Sequence, residues 1–197
     1  MKLLQSIGPR LDSIFSLIAE PQVTVHYDCI WDCCCDHGYL GRKMLQHKLA
    51  ETVCFVDQVS HITEKLSVQL EKEPSGNYQV HTGDAGELFF SGDERHLVII
   101  AGVTGNNVIT IIQAILDNLP SMAKHQPQID FIACPTRGSY DVRSFMITRN
   151  CSLKGEFIIS EKGRQYEVIY ISAPGNTIPS SRQKPSSAVG NMWDGKC

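Results

Sequence analysis

The stretch GEFIISEKGRQYEVIYIS, residues 155–172, decides which fold the sequence predicts. It contains two runs rich in isoleucine, valine and tyrosine, joined at Glu161–Lys162–Gly163. β-Branched and aromatic residues favour strands, and Gly163 supplies the positive φ that a tight turn needs. The stretch therefore predicts an antiparallel hairpin.

The sequence before this hairpin alternates between short apolar runs and amphipathic segments. Strands are predicted at residues 25–33, 52–57, 78–84, 96–102 and 128–135, and helices at 39–49, 62–72, 107–119 and 140–150. Continuous apolar strands that alternate with helices predict a parallel sheet covered on both faces. An α/β fold with a mostly parallel, Rossmann-like sheet that ends in an antiparallel hairpin is the plan of the class I methyltransferases, whereas the plain nucleotide-binding sheet lacks the hairpin.

The composition predicts one folded domain followed by a tail. The chain has 197 residues, of which 42% are hydrophobic, and its formal net charge is -3. We expect the domain to span residues 1–173, and residues 174–197, rich in proline, serine and glycine, to form a flexible tail. No run of eighteen apolar residues occurs, so no membrane span and a cytoplasmic location are expected. The mild negative charge does not by itself favour a nucleic-acid partner.

The cysteine run in DCCCDHGYLG, residues 32–41, raises the possibility of a metal or redox site. No C-x-x-C pair is followed by a second pair, which gives little support for structural zinc. Consecutive side chains at a strand end point to opposite sides, so three neighbouring thiols do not converge easily on one ion. We therefore predict no metal site, and we expect Cys33 and Cys35 to be small packing residues.

Acidic residues lie at the ends of the first three predicted strands, where doubly wound sheets bind their ligands. Asp57 is expected to accept hydrogen bonds from ribose hydroxyls, the alternative being an exposed strand-end acid. Asp84 is expected to accept from an exocyclic amine such as that of adenine, the alternative being an ordinary turn residue. Asp32 is expected to hold an ammonium group, to cap the following helix, or to do both.

Several of these stretches resemble one family. WDCCCDHGYLGRKML (31–45) resembles the motif D-I-G-S-D-H-A-Y-L-P of the bacterial tRNA (adenine-22-N1)-methyltransferases. LVIIAGVTGNNVITII (97–112) is similar to the family's I-V-I-A-G-M-G-G-T-L-I, and CPTRGSYDVRSF (134–145) falls on Q-P-N and the helix after it. The likeness covers about residues 3–173, which indicates a short form without the family's C-terminal helical extension.

The resemblance implies S-adenosylmethionine as the cofactor and methyl transfer to N1 of an adenine in tRNA. Carried over by position, it implies that the cofactor pocket is lined by Asp32, Cys34, Asp36, His37, Asp57, Gln58, Asp84, Ala85, Ala101 and Gly102. It implies that the acceptor is bound by Gly105, Pro135, Thr136, Arg137 and Tyr140. Asp36 and His37 are also the candidate catalytic residues, because they can accept a proton from the methylated base.

The chain departs from the family motifs at three places. Cys34 and Thr104 replace glycines, and Cys134 and Thr136 replace the two amides of Q-P-N. Three alternatives therefore stay open: a methyltransferase with another acceptor, a non-catalytic binding module of the same fold, and a cysteine-based metal or redox protein. The oligomeric state is not predicted.

Overall fold

The computed structural model describes residues 7–20, 25–72, 76–90, 92–119, 126–176 and 184–185. Strands β1 to β8 span Tyr27–Cys33, Ala50–Asp57, Asn77–Thr82, Arg95–Ala101, Gln128–Cys134, Ser152–Glu161, Arg164–Ser172 and Lys184–Pro185. Helices α1 to α5 span Pro9–Ala19, Tyr39–Gln46, Ser60–Leu70, Gly105–Asn118 and Ser139–Thr148, and a 3₁₀ turn covers Ala85–Glu87.

The strands form one sheet in the order β3-β2-β1-β4-β5-β7-β6-β8. Strands β1 to β5 are parallel, and β7 lies antiparallel to both β5 and β6. The predicted α/β fold with a closing hairpin is confirmed, and it is the class I methyltransferase fold. Every predicted strand and helix is present, with ends shifted by a few residues.

The predicted tail falls largely outside the described residues, apart from residues 174–176 and 184–185. Strand β8 lies within it and pairs with the start of β6, with Pro185 opposite Ser152. Within the described part of the chain, no helix is both long enough and apolar enough to cross a membrane.

The apolar core has two layers, one on each face of the sheet. Helices α4 and α5 pack on one face, and α1, α2 and α3 pack on the other. Cys33 belongs to the first layer and Cys35 to the second, and both are buried. The packing role predicted for these two cysteines is therefore what the structure shows.

A buried polar network fixes the hairpin against the parallel strands at their amino ends. The carboxylate of Asp130 accepts hydrogen bonds from Tyr27 Oη at 2.7 Å, Lys154 Nζ at 2.6 Å and Ser172 Oγ at 2.5 Å. These donors come from β1, β6 and β7. Because a buried carboxylate is costly without such partners, the network favours one register of the hairpin and so sets the position of its tip at the opposite end of the sheet.

Candidate functional site

The site lies where the strand order reverses, at the carboxyl ends of β1 and β4. These strands are neighbours, yet α2 after β1 packs on one face and α4 after β4 packs on the other. The two connections diverge, which opens a crevice beyond the strand ends. This is the general ligand-binding position of open α/β sheets.

The loop after β1 has an unusual backbone for its sequence. Cys34 and Asp36 have φ of 57° and 49°, the left-handed region that glycine adopts readily and most other residues avoid. Two hydrogen bonds hold this path, from Cys35 N to Val56 O at 3.2 Å and from Gly38 N to Cys35 O at 2.7 Å. Cys34 thus has a backbone conformation that suits glycine, at a cost of about 1–2 kcal/mol for a residue with a side chain.

The thiol of Cys34 is half-buried in this loop and surrounded by negative charge. Burial, followed by the charges of Asp57, Asp32 and Asp84, raises its pKa to about 11. The thiol therefore stays protonated at neutral pH, whereas nucleophilic and metal-binding cysteines act as thiolates. This environment disfavours the redox alternative.

Asp57 ends β2 and supports the same loop. Its Oδ2 accepts a hydrogen bond from the backbone amide of Asp36 at 3.1 Å, and its Oδ1 accepts from that of Val59 at 3.0 Å. Each carboxylate oxygen has two lone pairs, so one on each oxygen is left for a diol. The neighbouring Gln58 is exposed.

Asp32 is buried beneath the loop, with 5% of its surface exposed. Its Oδ2 accepts a hydrogen bond from Gly41 N, in the first turn of α2, at 2.9 Å. Burial raises the pKa of this carboxyl to about 7; the Gly41 amide opposes the rise, and the charge of Asp57 adds to it. The capping role foreseen for Asp32 is thus present, and the ammonium role stays a prediction.

Asp84 follows β3 and is exposed at the crevice. Its Oδ1 accepts a hydrogen bond from Gly86 N at 2.8 Å and so caps the 3₁₀ turn, while Ala85 is buried. The turn-residue alternative is thus observed, and recognition of an exocyclic amine stays a prediction.

Asp36 and His37 form a solvent-facing pair at the rim of the crevice. Their side chains are 68% and 62% exposed, and 3.8 Å separates Asp36 Oδ1 from His37 Nε2. An acid beside an imidazole can relay a proton to solvent from a bound base. Their catalytic role stays a prediction.

The turns after β4 and β5 are bound to each other. Gly102 N donates to Cys134 O at 3.1 Å, and Thr136 N donates to Val103 O at 2.8 Å. Gly105 N donates to Arg137 O at 2.9 Å. The structure thus brings the predicted acceptor residues of the two turns into one unit.

Two of the predicted acceptor residues are buried inside this unit, and three reach its surface. A Cβ placed on Gly105 would lie 2.6 Å from the carbonyl oxygen of Gly138, so the two turns require a glycine here. Pro135 is buried as well, whereas Thr136, Arg137 and Tyr140 are exposed. On the cofactor side of the unit, Ala101 is half-buried and Gly102 is exposed with φ of 90°.

Comparison with known proteins agrees with this geometry. Residues 7–169 match the family described as a methyltransferase domain. The chain belongs to this family. Because the family and the fold both imply S-adenosylmethionine, the protein is a methyltransferase that uses this cofactor.

Solved structures of methyltransferases share the fold at low sequence identity. The TrmK protein of M. capricolum, solved with S-adenosylhomocysteine, has a TM-score of 0.69 and 20% identity over 88% of this chain and 72% of its own. The m1A22 tRNA methyltransferase TrmK of B. subtilis has a TM-score of 0.63 and 18% identity, over 89% and 73%. Magnesium protoporphyrin IX methyltransferase of Synechocystis PCC 6803 has a TM-score of 0.61 and 9% identity, over 83% and 81%. No curated protein matches the chain significantly in sequence.

The carboxylates of this methyltransferase crevice suit the charge of the cofactor. S-adenosylmethionine carries an ammonium and a sulfonium, and the carboxylates of Asp32, Asp57 and Asp84 all act electrostatically on one thiol, that of Cys34. Gly102, which follows β4, is exposed and has φ of 90°. Among the described residues, the group able to offer three metal-ligand atoms within 4.8 Å of one another is His26, Asp28 and Glu51, which contains no cysteine.

The sequence did not identify Arg10, Glu161 and Tyr166 as site residues, although they lie at the same edge of the sheet. Arg10 belongs to the first turn of α1, and the other two belong to the hairpin. Their local patterns indicate only an amphipathic helix and a strand pair. Nothing in those patterns connects residue 10 to the turn after β4. Only the folded chain therefore shows that these three residues lie near the crevice.

Proposed function

We propose that this methyltransferase transfers a methyl group from S-adenosylmethionine to N1 of an adenine in tRNA. The observation that carries the proposal is the loop of residues 32–40. It resembles the tRNA (adenine-22-N1)-methyltransferase motif in sequence, and its backbone keeps the left-handed conformation at Cys34 although the glycine is gone. Two of the solved structures that share the fold are TrmK proteins, one of them named as an m1A22 tRNA methyltransferase.

The proposed contacts to the cofactor follow the strand ends. Asp57 holds the ribose hydroxyls with its two remaining lone pairs, and Asp84 accepts from the adenine amine. Asp32 lies next to the amino-acid end, where an ammonium group favours its ionised form. The side chain of Gln58 and the backbone of Ala85, Ala101 and Gly102 complete the walls of the proposed cofactor pocket.

The proposed chemistry needs little covalent help from the protein. S-adenosylmethionine supplies an electrophilic methyl group on a sulfonium sulfur. The protein aligns N1 of the base with that group, which is worth more than any single acid or base in an in-line displacement. Transfer leaves a positive charge on the base, and Asp36 stabilises this charge while His37 accepts the proton that the base later releases.

The acceptor side of the crevice contains groups suited to a nucleobase. Tyr140 is exposed at the start of α5 and offers an aromatic face for stacking, and Arg137 is exposed beside it. We propose that these two residues and Thr136 contact the base, while buried Gly105 and Pro135 shape the turns that present them.

The proposal is tested by incubating the protein with S-adenosylmethionine and an unmodified tRNA transcript. Methylation at N1 blocks base pairing, so reverse transcription is expected to stop at one adenine. Asp57→Ala is expected to abolish cofactor binding in isothermal titration and to abolish the stops. Glu51→Ala, which removes an exposed acid at the other end of the same strand, is the matched control and retains both.

The outcomes separate the alternatives. Cofactor binding without stops would contradict the tRNA proposal and would leave a methyltransferase with another acceptor or a binding module. No binding by the wild-type protein, or binding that Asp57→Ala does not change, would contradict the assignment of the crevice as the cofactor site.

A further inference from the structure

The first turn of α1 is attached to the tip of the closing hairpin, beside the acceptor side of the crevice. Glu161 Oε1 at the end of β6 accepts a hydrogen bond from the backbone amide of Arg10 at 3.2 Å. Gly8 leaves room for this carboxylate, because a Cβ at that position would overlap Glu161 Oε1. The contact places the side chain of Arg10 at the carboxyl edge of the sheet.

The guanidinium of Arg10 is held from two sides. Its Cζ lies 5.0 Å from the centre of the Tyr166 ring, and its Nε lies 4.0 Å from Glu161 Oε2. The side chain is 19% exposed. Stacking on an aromatic ring orients a guanidinium while leaving its outer edge available for ligands.

That outer edge faces the turn after β4. A Cβ built on Gly102 would lie 3.6 Å from Nη2 of Arg10 and 3.9 Å from Nη1. Neither nitrogen forms a hydrogen bond with another residue that the structure describes. Both Nη nitrogens of Arg10 therefore lie beside the backbone of Gly102, at the turn after β4.

The charge pattern indicates what this edge binds. The cofactor side contains Asp32, Asp36, Asp57 and Asp84, which suit a cationic cofactor. Arg10 contributes positive charge beside Gly102, and the carboxylate of Glu161 balances part of that charge. A planar pair of donors on a fixed guanidinium matches two oxygens of one phosphate.

We propose that Arg10 is an acceptor-positioning residue that binds a backbone phosphate of the RNA next to the target nucleotide. This inference rests on the proposed function, since it takes RNA as the acceptor. Phosphate contacts fix register and orientation without reading sequence. By anchoring the strand at the rim, Arg10 places the neighbouring base over the crevice.

The test measures binding of a labelled oligoadenylate of roughly 12 nucleotides to protein saturated with S-adenosylhomocysteine, across a series of salt concentrations. Arg10→Met keeps much of the apolar stem over Tyr166 and removes the charge. It is expected to weaken binding about tenfold and to reduce the salt slope by about 0.7, the value for one phosphate contact on a single strand. Arg10→Lys, which keeps the charge, is expected to restore the slope but only part of the affinity.

Two controls separate positioning from a merely structural role. Lys65→Met removes one positive charge from an exposed position on α3 and is expected to leave the slope unchanged. Cofactor affinity and thermal midpoint are expected to be the same for Arg10→Met and the wild type. In methylation assays, Arg10→Met is expected to raise KM for tRNA and to leave KM for the cofactor unchanged.

The inference and the proposed function can fail independently. If Arg10→Met has the slope and RNA affinity of the wild type, the inference is overturned, even when tRNA is methylated. If the slope falls as expected but no tRNA is methylated, the inference stands and the tRNA proposal does not. A loss of cofactor affinity in Arg10→Met and Arg10→Lys alike would overturn the inference in favour of a structural role.

Discussion

Asp32 makes stability depend on pH in a way that a single substitution can test. The carboxyl is buried, and its pKa is raised from the ordinary 3.8 to about 7, mainly because burial disfavours the charge. Asp32→Asn keeps an oxygen that can accept from Gly41 N and removes the ionisation. The difference between the two proteins therefore isolates the cost of the buried charge.

The sign follows from proton binding. Between pH 3.8 and about 7 the folded protein holds the Asp32 proton and the unfolded chain has lost it. The unfolding free energy of the wild type consequently falls by about 1.4 kcal/mol per pH unit in this window. From about pH 5 to about pH 8 the fall is about 3 kcal/mol, because it levels off at pH 7. The stability of Asp32→Asn relative to wild type is expected to rise by that amount.

The assay is equilibrium denaturation in urea of both proteins at several pH values in this range. Glu64→Gln, at an exposed position on α3, controls for the loss of one negative charge. Burial of the asparagine amide changes the difference in unfolding free energy between the two proteins by a constant, and it does not alter the pH dependence of that difference. If the difference in unfolding free energy between Asp32→Asn and the wild type is the same at pH 5 and pH 8, the prediction is wrong. That result would mean that the buried carboxyl ionises at its ordinary pKa.

Three further predictions concern the site and the hairpin. Cys34→Gly is expected to stabilise the protein by about 0.5–1 kcal/mol, because it relieves the left-handed backbone; unchanged or lower stability in denaturation would contradict this. Gly105→Ala is expected to lower the unfolding free energy by about 1–3 kcal/mol and to weaken cofactor binding. Gly83→Ala is the control: no atom lies within 4 Å of its new Cβ, so it is expected to have little effect on stability in denaturation or on cofactor affinity in titration. Buried Arg143 on α5 forms ion pairs with Glu156 on β6, 2.5 Å from Nη1 to Oε2, and with Glu167 on β7, 3.0 Å from Nε to Oε2. Arg143→Met is expected to lower the unfolding free energy by about 3–5 kcal/mol, because it leaves the buried carboxylate of Glu156 without this guanidinium. Adding Glu156→Gln should recover part of the loss, and no recovery would argue against a stabilising role of the Arg143–Glu156 pair.

The fold could be predicted from the sequence because its signals are local. The alternation of apolar strands and amphipathic helices is set by residue spacing. Gly163 marks the turn of the hairpin, in which Lys162 and Gly163 have φ of 50° and 75°. Strand ends also showed where Asp32, Asp57 and Asp84 would lie, since ligands in such sheets bind at one edge.

The burial, the pKa and the backbone conformation of the site residues depend on the tertiary structure alone. The raised pKa of Asp32 depends on burial beneath a loop, and the left-handed conformation of Cys34 depends on hydrogen bonds from the loop to the end of β2 and within itself. The position of Arg10 beside Gly102 joins segments about 90 residues apart through the hairpin tip. Residue spacing specifies the period and the faces of each element, but these properties come from contacts between elements, which form only when the chain is folded.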